Sequence, residues 1–327
     1  MFTVPLGEQP RLRLPAGYGE RRCSVPKADC RLTALLVCLF VLTGESQGFT
    51  IVLEKSNLNV PIGGDAEFTV RPSSAIQDGT WNFKSKRIVL WIGTNPSIPA
   101  EYTSRLDLNF TSGSLTLRSV NESDSGDYKV TLTAVGGGQA SATITLQALE
   151  RVANVNLRSN NSEPVEQRDS VVLTCSSRGS QVKREWIFKN QPIQQNDTIT
   201  ISGDTLIIDP VDRADTGMYK CIVSNGLNSG NAETSLKVLY GPDNMEITPQ
   251  SPLTIQNGEG LMLTCSAQSL PSPVYEWFNG AEMLSTGPVI TIPSVRVEGG
   301  GKHTCHVNNT RTGRNINLTA EVIVLSE

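Results

Sequence analysis

Two stretches of the chain repeat one arrangement of fixed points, and that repeat limits the fold more than any other feature. In the first, Val171-Val172-Leu173-Thr174-Cys175 reads as a short strand, Trp186 stands eleven residues after the cysteine, and Asp215-Thr216-Gly217-Met218-Tyr219-Lys220-Cys221 closes the block. In the second, Leu261-Met262-Leu263-Thr264-Cys265 is followed by Trp277 twelve residues on and by Gly301-Lys302-His303-Thr304-Cys305. A period of two sends alternate side chains to opposite faces, so Val171, Leu173 and Cys175 share one face, as do Tyr219, Cys221 and Val223. A third stretch nearer the start keeps the frame without cysteines. It runs from Ala66-Glu67-Phe68-Thr69-Val70 through Trp81 to Asp124-Ser125-Gly126-Asp127-Tyr128-Lys129-Val130. Short alternating runs with turn residues between them, and no sustained helical period, predict an all-β chain.

Two cysteines on opposing sheets, a Trp packed on their bridge and a corner Tyr two residues before the second cysteine resemble the immunoglobulin sandwich. The resemblance implies three tandem immunoglobulin-like β-sandwiches, with disulfides Cys175–Cys221 and Cys265–Cys305 and core residues Trp81, Trp186 and Trp277. The two bridge positions are 60 residues apart in the first block, 46 in the second and 40 in the third. The extra length holds Arg87-Ile88-Val89-Leu90-Trp91-Ile92-Gly93, an added strand, so the first sandwich is expected to be variable-type and the others constant- or intermediate-type. Val70 and Val130 take its bridge positions. A bridge closing a loop of that size contributes about 4 kcal/mol, which packing must replace. An Arg105–Asp124 ion pair across the lower corner is expected to help.

Ahead of the repeats, Leu32 to Thr43 is apolar, follows Arg31, and leads into Gly44-Glu45-Ser46-Gln47-Gly48. A run this short suits a secretory signal rather than a span, with Ser46 and Gly48 placed for cleavage before Phe49. The basic segment in front of it is longer than usual. The expected divisions are a leader over 1–48, a variable-type domain without a disulfide over 49–149, and two further domains over 150–240 and 241–327. Removing the leader takes away Cys23, Cys30 and Cys38 and leaves four cysteines, an even set that points to disulfides in an exported chain. No second apolar segment long enough to cross a bilayer follows Phe49. The junctions Ala148–Val152 and Tyr240–Asp243 contain no Gly/Ser tether, so a rod is expected.

Composition closes several other routes. With 28 basic and 32 acidic side chains the net charge is -4, which does not suit a nucleic-acid partner. The two histidines, His303 and His306, flank Cys305, and strand parity turns them to opposite faces, so they cannot converge on a metal. Neither stands beside a nucleophile in the arrangement a hydrolase needs, and Gly136-Gly137-Gly138 lacks the following helix and Lys of a phosphate cradle. No enzyme, cofactor or small-molecule substrate is expected.

Beyond the fold, the stretch from Phe49 to Leu325 resembles the carcinoembryonic-antigen-related cell adhesion molecule family. The resemblance rests on a variable-type first domain without a disulfide and on Leu236-Lys237-Val238-Leu239-Tyr240-Gly241-Pro242-Asp243 at a junction. It implies an extracellular protein, secreted or at the cell surface, whose partners are proteins met homophilically or heterophilically on the C, C′, F and G strands of its first domain. Carried over to this sequence, that face is Asn82, Lys84, Lys129 and Thr131, with Val89 and Trp91 on the added strand. A soluble ligand or decoy for a surface receptor is the alternative. Six sequons, at Asn109, Asn121, Asn160, Asn196, Asn308 and Asn317, are expected on solvent-facing positions. Asn109 and Asn121 are expected on the opposite side of the first domain, leaving the C–F–G side bare.

Overall fold

The computed structural model describes residues 48–326, so the expected leader and its cleavage position lie outside the described residues apart from residue 48. The first sandwich contains β1 (Ile51–Leu53), β2 (Asn57–Pro61), β3 (Ala66–Phe68), β4 (Val70–Pro72), β5 (Ile76–Phe83), β6 (Lys86–Ile92), β7 (Asn95–Ser97), β8 (Leu106–Leu108), β9 (Leu115–Leu117), β10 (Gly126–Ala134) and β11 (Gln139–Leu149). One layer is the six-stranded sheet β2-β11-β10-β5-β6-β7, and the other is made of β1-β4 and β3-β9-β8. These are nine strands of a variable-type domain, two of them broken. The first strand leaves one sheet after Leu53 and joins the other as β2, which runs parallel to β11. The second is interrupted at Thr69, between β3 and β4.

The second sandwich pairs β12 (Ala153–Ser159), β13 (Val171–Arg178), β14 (Lys183–Phe188), β15 (Gln191–Pro192), β16 (Ile199–Ser202), β17 (Thr205–Ile208), β18 (Gly217–Ser224) and β19 (Ser229–Leu236) as β12-β13-β17-β16 against β15-β14-β18-β19. The third contains β20 (Tyr240–Thr248), β21 (Leu253–Gln256), β22 (Leu261–Leu270), β23 (Val274–Asn279), β24 (Glu282–Thr286), β25 (Val289–Ile292), β26 (Gly301–Asn309) and β27 (Arg314–Leu325). Its sheets are β20-β22-β25 and β21-β27-β26-β23-β24.

Each sandwich has its own apolar core, built from the inward half of alternating strands. Cys175–Cys221 and Cys265–Cys305 are bridged, with Cα separations of 6.3 and 6.5 Å, and each lies in register beside its Trp on the neighbouring strand. In the first sandwich buried Val70 and Val130 occupy those positions and Val130 pairs with Trp81. Aromatic packing fills the space: Phe68 meets Trp81 at 5.5 Å and Tyr128 at 4.4 Å between ring centroids, and Phe83 stacks on Tyr128. The Trp81 indole N–H donates to the Gly113 carbonyl at 2.9 Å.

The lower corners follow one plan twice. Asn121 and Asp124 close a reciprocal cap around the turn Glu122–Asp124, as do Asp212 and Asp215 around Arg213–Asp215. The Tyr128 and Tyr219 hydroxyls each donate to the carbonyl four residues back, at 2.9 Å. Arg105 adds a further tie in the first sandwich, donating to both oxygens of Asp124, at 3.3 and 2.5 Å. In the third sandwich buried His303 replaces the Tyr, and the turn Val297–Gly299 has no side-chain cap.

Polar side chains hold the junctions. Asn228 exchanges two hydrogen bonds with the backbone of Val152, both 2.9 Å, and Asn225 donates to the Glu150 carbonyl. At the next junction Arg213 binds Glu166 and Asp243, each at 2.5 Å, and its guanidinium lies 4.0 Å from the Tyr240 ring centroid. Arg314 joins Asp243 at 3.0 Å, and Arg311 reaches Glu163 at 2.6 Å.

Candidate recognition face

The outward side of the six-stranded sheet collects most of the residues expected to bind. Adjacent strands place directly opposed residues on one face, so the register reads off its rows. One row is Thr143, Lys129, Asn82 and Arg87, and the next is Ser141, Thr131, Thr80, Leu90 and Ser97. A third is Gln139, Thr133, Asp78, Ile92 and Asn95. Inward neighbours of these rows, Tyr128, Val130 and Leu132, are fully buried and fix the parity.

Asn82, Lys129 and Thr131 lie on this face. Lys84 stands just beyond β5 in the turn to β6, at a positive φ of 47°, with its ammonium 4.6 Å from the centre of the Phe83 ring and 3.3 Å from the Ser123 carbonyl. Together with Ser85, Gly126, Asp127 and Thr143, the residues Asn82, Lys84 and Lys129 line an open depression of 680 Å³. Two lysines and one aspartate thus share its rim. Asp127 accepts from the Thr145 hydroxyl at 2.7 Å, and the Thr131 and Ser141 hydroxyls pair at 2.8 Å. The face is therefore polar with spare donors and acceptors, and Ile92, 63% exposed, supplies an apolar point at one side.

Val89 and Trp91 do not belong to it. Both are core residues, with exposures of 0% and 1%. Trp81 pairs with Val89 and Gly79 with Trp91, so these two point inward with Trp81. A bulge sets this parity: Asn82 pairs with Arg87 and Trp81 with Val89, which leaves Ile88 as an extra residue and also buried. Gly79 makes the arrangement possible, because a Cβ there would overlap the Trp91 ring. Leu90, Ile92 and Arg87 are the outward residues that the sequence reading missed. The run Ile88–Ile92 is apolar throughout and has no alternation from which to read a face; only the pairing with Trp81 supplies it.

All six sequon asparagines are solvent-exposed. Asn109 lies in the turn between β8 and β9, and its Oδ1 accepts from Thr111 and Ser112 N–H groups. Asn121 caps the turn before β10. Neither stands in the six-stranded sheet. Of the two histidines, His303 is buried and His306 half-buried, on opposite sides of β26. No helix among the described residues is long and apolar enough to cross a membrane.

Comparison with known proteins agrees with this architecture. Two family models, each described as an immunoglobulin domain, match residues 155–225 and 244–324. The three sandwiches are immunoglobulin-like domains. Among solved structures, murine CEACAM1b is similar over 58% of this chain and 99% of its own, at 25% identity and a TM-score of 0.50. The titin I-band fragment I67-I69 is similar over 84% of this chain and 98% of its own, at 20% identity and a TM-score of 0.52. A chain from the complex of Dpr2 Ig1-Ig2 with DIP-Theta Ig1-Ig3 matches over 84% of this chain and 100% of its own, at 15% identity and a TM-score of 0.50. The last two likenesses concern the fold alone.

Proposed function

We propose that this chain is an extracellular recognition protein, related to the carcinoembryonic-antigen-related cell adhesion molecules, that binds protein through the β11-β10-β5-β6 face of its first sandwich. The observation that carries the reading is the contrast between that face and the rest of the sandwich. It has open polar hydrogen-bonding groups, opposed charges at Lys84, Lys129 and Asp127 and an exposed Ile92, and it carries no sequon, whereas Asn109 and Asn121 lie off it. Two disulfides support export, and the likeness to murine CEACAM1b supports the family. The partner is a second copy or a related domain. A polar face with mixed charges suits weak individual contacts strengthened by clustering.

Sedimentation of the glycosylated chain over a concentration series, beside Lys129→Glu and Ile92→Asp variants, tests this. Self-association lost in both variants with native near-ultraviolet dichroism retained is the expected result for a homophilic face. Self-association unchanged in both rules the face out. A chain that stays monomeric directs the same variants to binding of related domains.

A further inference from the structure

The third sandwich treats its equivalent face in the opposite way. On β26 the side chains of His303, Cys305 and Val307 are buried, so Thr304, His306 and Asn308 turn outward. On β27 the outward set is Asn315, Asn317 and Thr319. Asn308 and Asn317 both begin sequons, on adjacent strands and one step apart diagonally, because Asn317 stands directly opposite His306. His306 in turn packs on Phe278 of β23, with ring centroids 4.4 Å apart. Opposed residues in such a pair have Cβ atoms about 5 Å apart. A group on the Asn317 amide therefore emerges beside a two-ring platform, which Met283, opposite Phe278, and Val274, opposite Asn308, extend with further exposed apolar surface.

We propose that Asn317 carries an N-linked glycan whose first N-acetylglucosamine lies on the Phe278–His306 ring pair, and that Asn308 carries a second glycan over the same face. The negative faces of the rings meet the positively polarised C–H bonds of the sugar, and the sugar covers ring surface that would otherwise face water. The attachment joins Nδ2 of Asn317 to C1 of the sugar and breaks the bond from C1 to the pyrophosphate of a lipid-linked oligosaccharide donor. The pyrophosphate leaves with the electron pair and the amide loses one proton. The consequence is a division of labour between domains: the third sandwich has a carbohydrate-covered face and the first a bare one. The proposal needs export but not the recognition role of the first sandwich, so either can fail while the other stands.

The test uses the full chain secreted from cells making oligomannose glycans. Peptide mapping after enzymatic release in heavy-oxygen water reads occupancy, and hydrogen exchange reads protection of the β26 amides. Comparison is between the intact glycan, the glycan trimmed to one sugar, and Asn317→Gln, each with and without Phe278→Leu; His306→Leu serves as a second probe of the platform. Asn317 should be occupied, and trimming should leave protection unchanged. Phe278→Leu should lower protection roughly two- to tenfold more in the glycosylated chain than in the Asn317→Gln background. An unoccupied Asn317, loss of protection on trimming, or equal effects of the ring substitutions in both backgrounds would overturn the proposal.

Discussion

Replacing Arg105 by Met tests what holds the first sandwich together in place of a disulfide. The Arg105 side chain is 24% exposed and that of Asp124 only 6%, and besides both Asp124 oxygens the guanidinium reaches the carbonyls of Arg118 and Ser119 at 3.1 Å. Methionine keeps the aliphatic length and removes all of these bonds. Water can serve the exposed Arg118 and Ser119, but Asp124 keeps only the Asn121 N–H at 2.8 Å. Leaving one partner of a buried pair uncompensated costs 3–5 kcal/mol in general. The partial exposure of Arg105 places this case at the lower end, about 3 kcal/mol. That is on the order of a 150-fold loss of hydrogen-exchange protection, since about 1.4 kcal/mol corresponds to tenfold. The assay is exchange of β10 amides in the full chain, with β18 and β26 amides as internal controls. Adding Asp124→Asn removes the stranded charge while keeping an acceptor for Asn121, and should recover at least half of the loss. A cost below about 1 kcal/mol, the range of exposed pairs, or no recovery in the double variant would refute the reasoning.

Three further outcomes follow from the same geometry. Trp91→Ala should destabilise the first sandwich by about 3–5 kcal/mol, because it empties a core site; a chain that keeps its β10 protection and loses only association would return Trp91 to the surface. Glu166 is held below its ordinary 4.5 by the hydrogen bonds from Arg213. Its contribution is therefore full above that value and is lost as pH falls beneath it, so β20 amides should lose protection below pH 4.5 in the native chain and much less steeply in Glu166→Gln. Burial pushes His303 below its ordinary 6.5, so the fold favours the neutral ring. Stability of the third sandwich should be complete above 6.5 and decline as acid charges the unfolded chain's histidine first; His303→Tyr should flatten that slope, as thermal melts from pH 7 to 5 would record.

The sandwiches were legible in the sequence because their markers are local and rigid. A cysteine, a Trp eleven or twelve residues later and an alternating strand into the second cysteine identify the two sheets of the second and third sandwiches, and Val70, Trp81 and Val130 keep the same frame in the first. Three features of the molecule had no such marker. The bulge at Ile88 inverts the reading of Val89 and Trp91, yet β6 is apolar from Ile88 to Ile92, so only its pairing with β5 reveals which residues face out. The break in the first strand depends on β2 finding β11, nearly ninety residues away in the chain. The junction cluster joins Arg213 to Glu166, 47 residues away, and to Asp243, 30 away, separations at which sequence carries no pairing signal. Electrostatic partners of this kind are chosen by the packing of whole domains, after the strands have been set.

That separation of scales explains why the outward face of the six-stranded sheet is polar without being unstable. On β10 the outward Lys129, Thr131 and Thr133 alternate with buried residues, as Thr80 does on β5 between Gly79 and Trp81, and the buried set, Trp81, Tyr128, Val130 and Leu132, fixes the sheet. Asn82, Lys129 and Thr131 can then vary in charge and size at small cost to folding, because solvent-facing substitutions away from caps and cores change stability by about 0.5 kcal/mol or less. The same freedom is denied at Val89 and Trp91, where a change of side chain disturbs the core, and at Gly79, where any side chain meets the Trp91 ring. A partner-selecting surface needs positions of the first kind. In this sandwich they lie on the strands that present the open depression beside Lys84, Lys129 and Asp127, so side chains can change there while the scaffold beneath stays fixed.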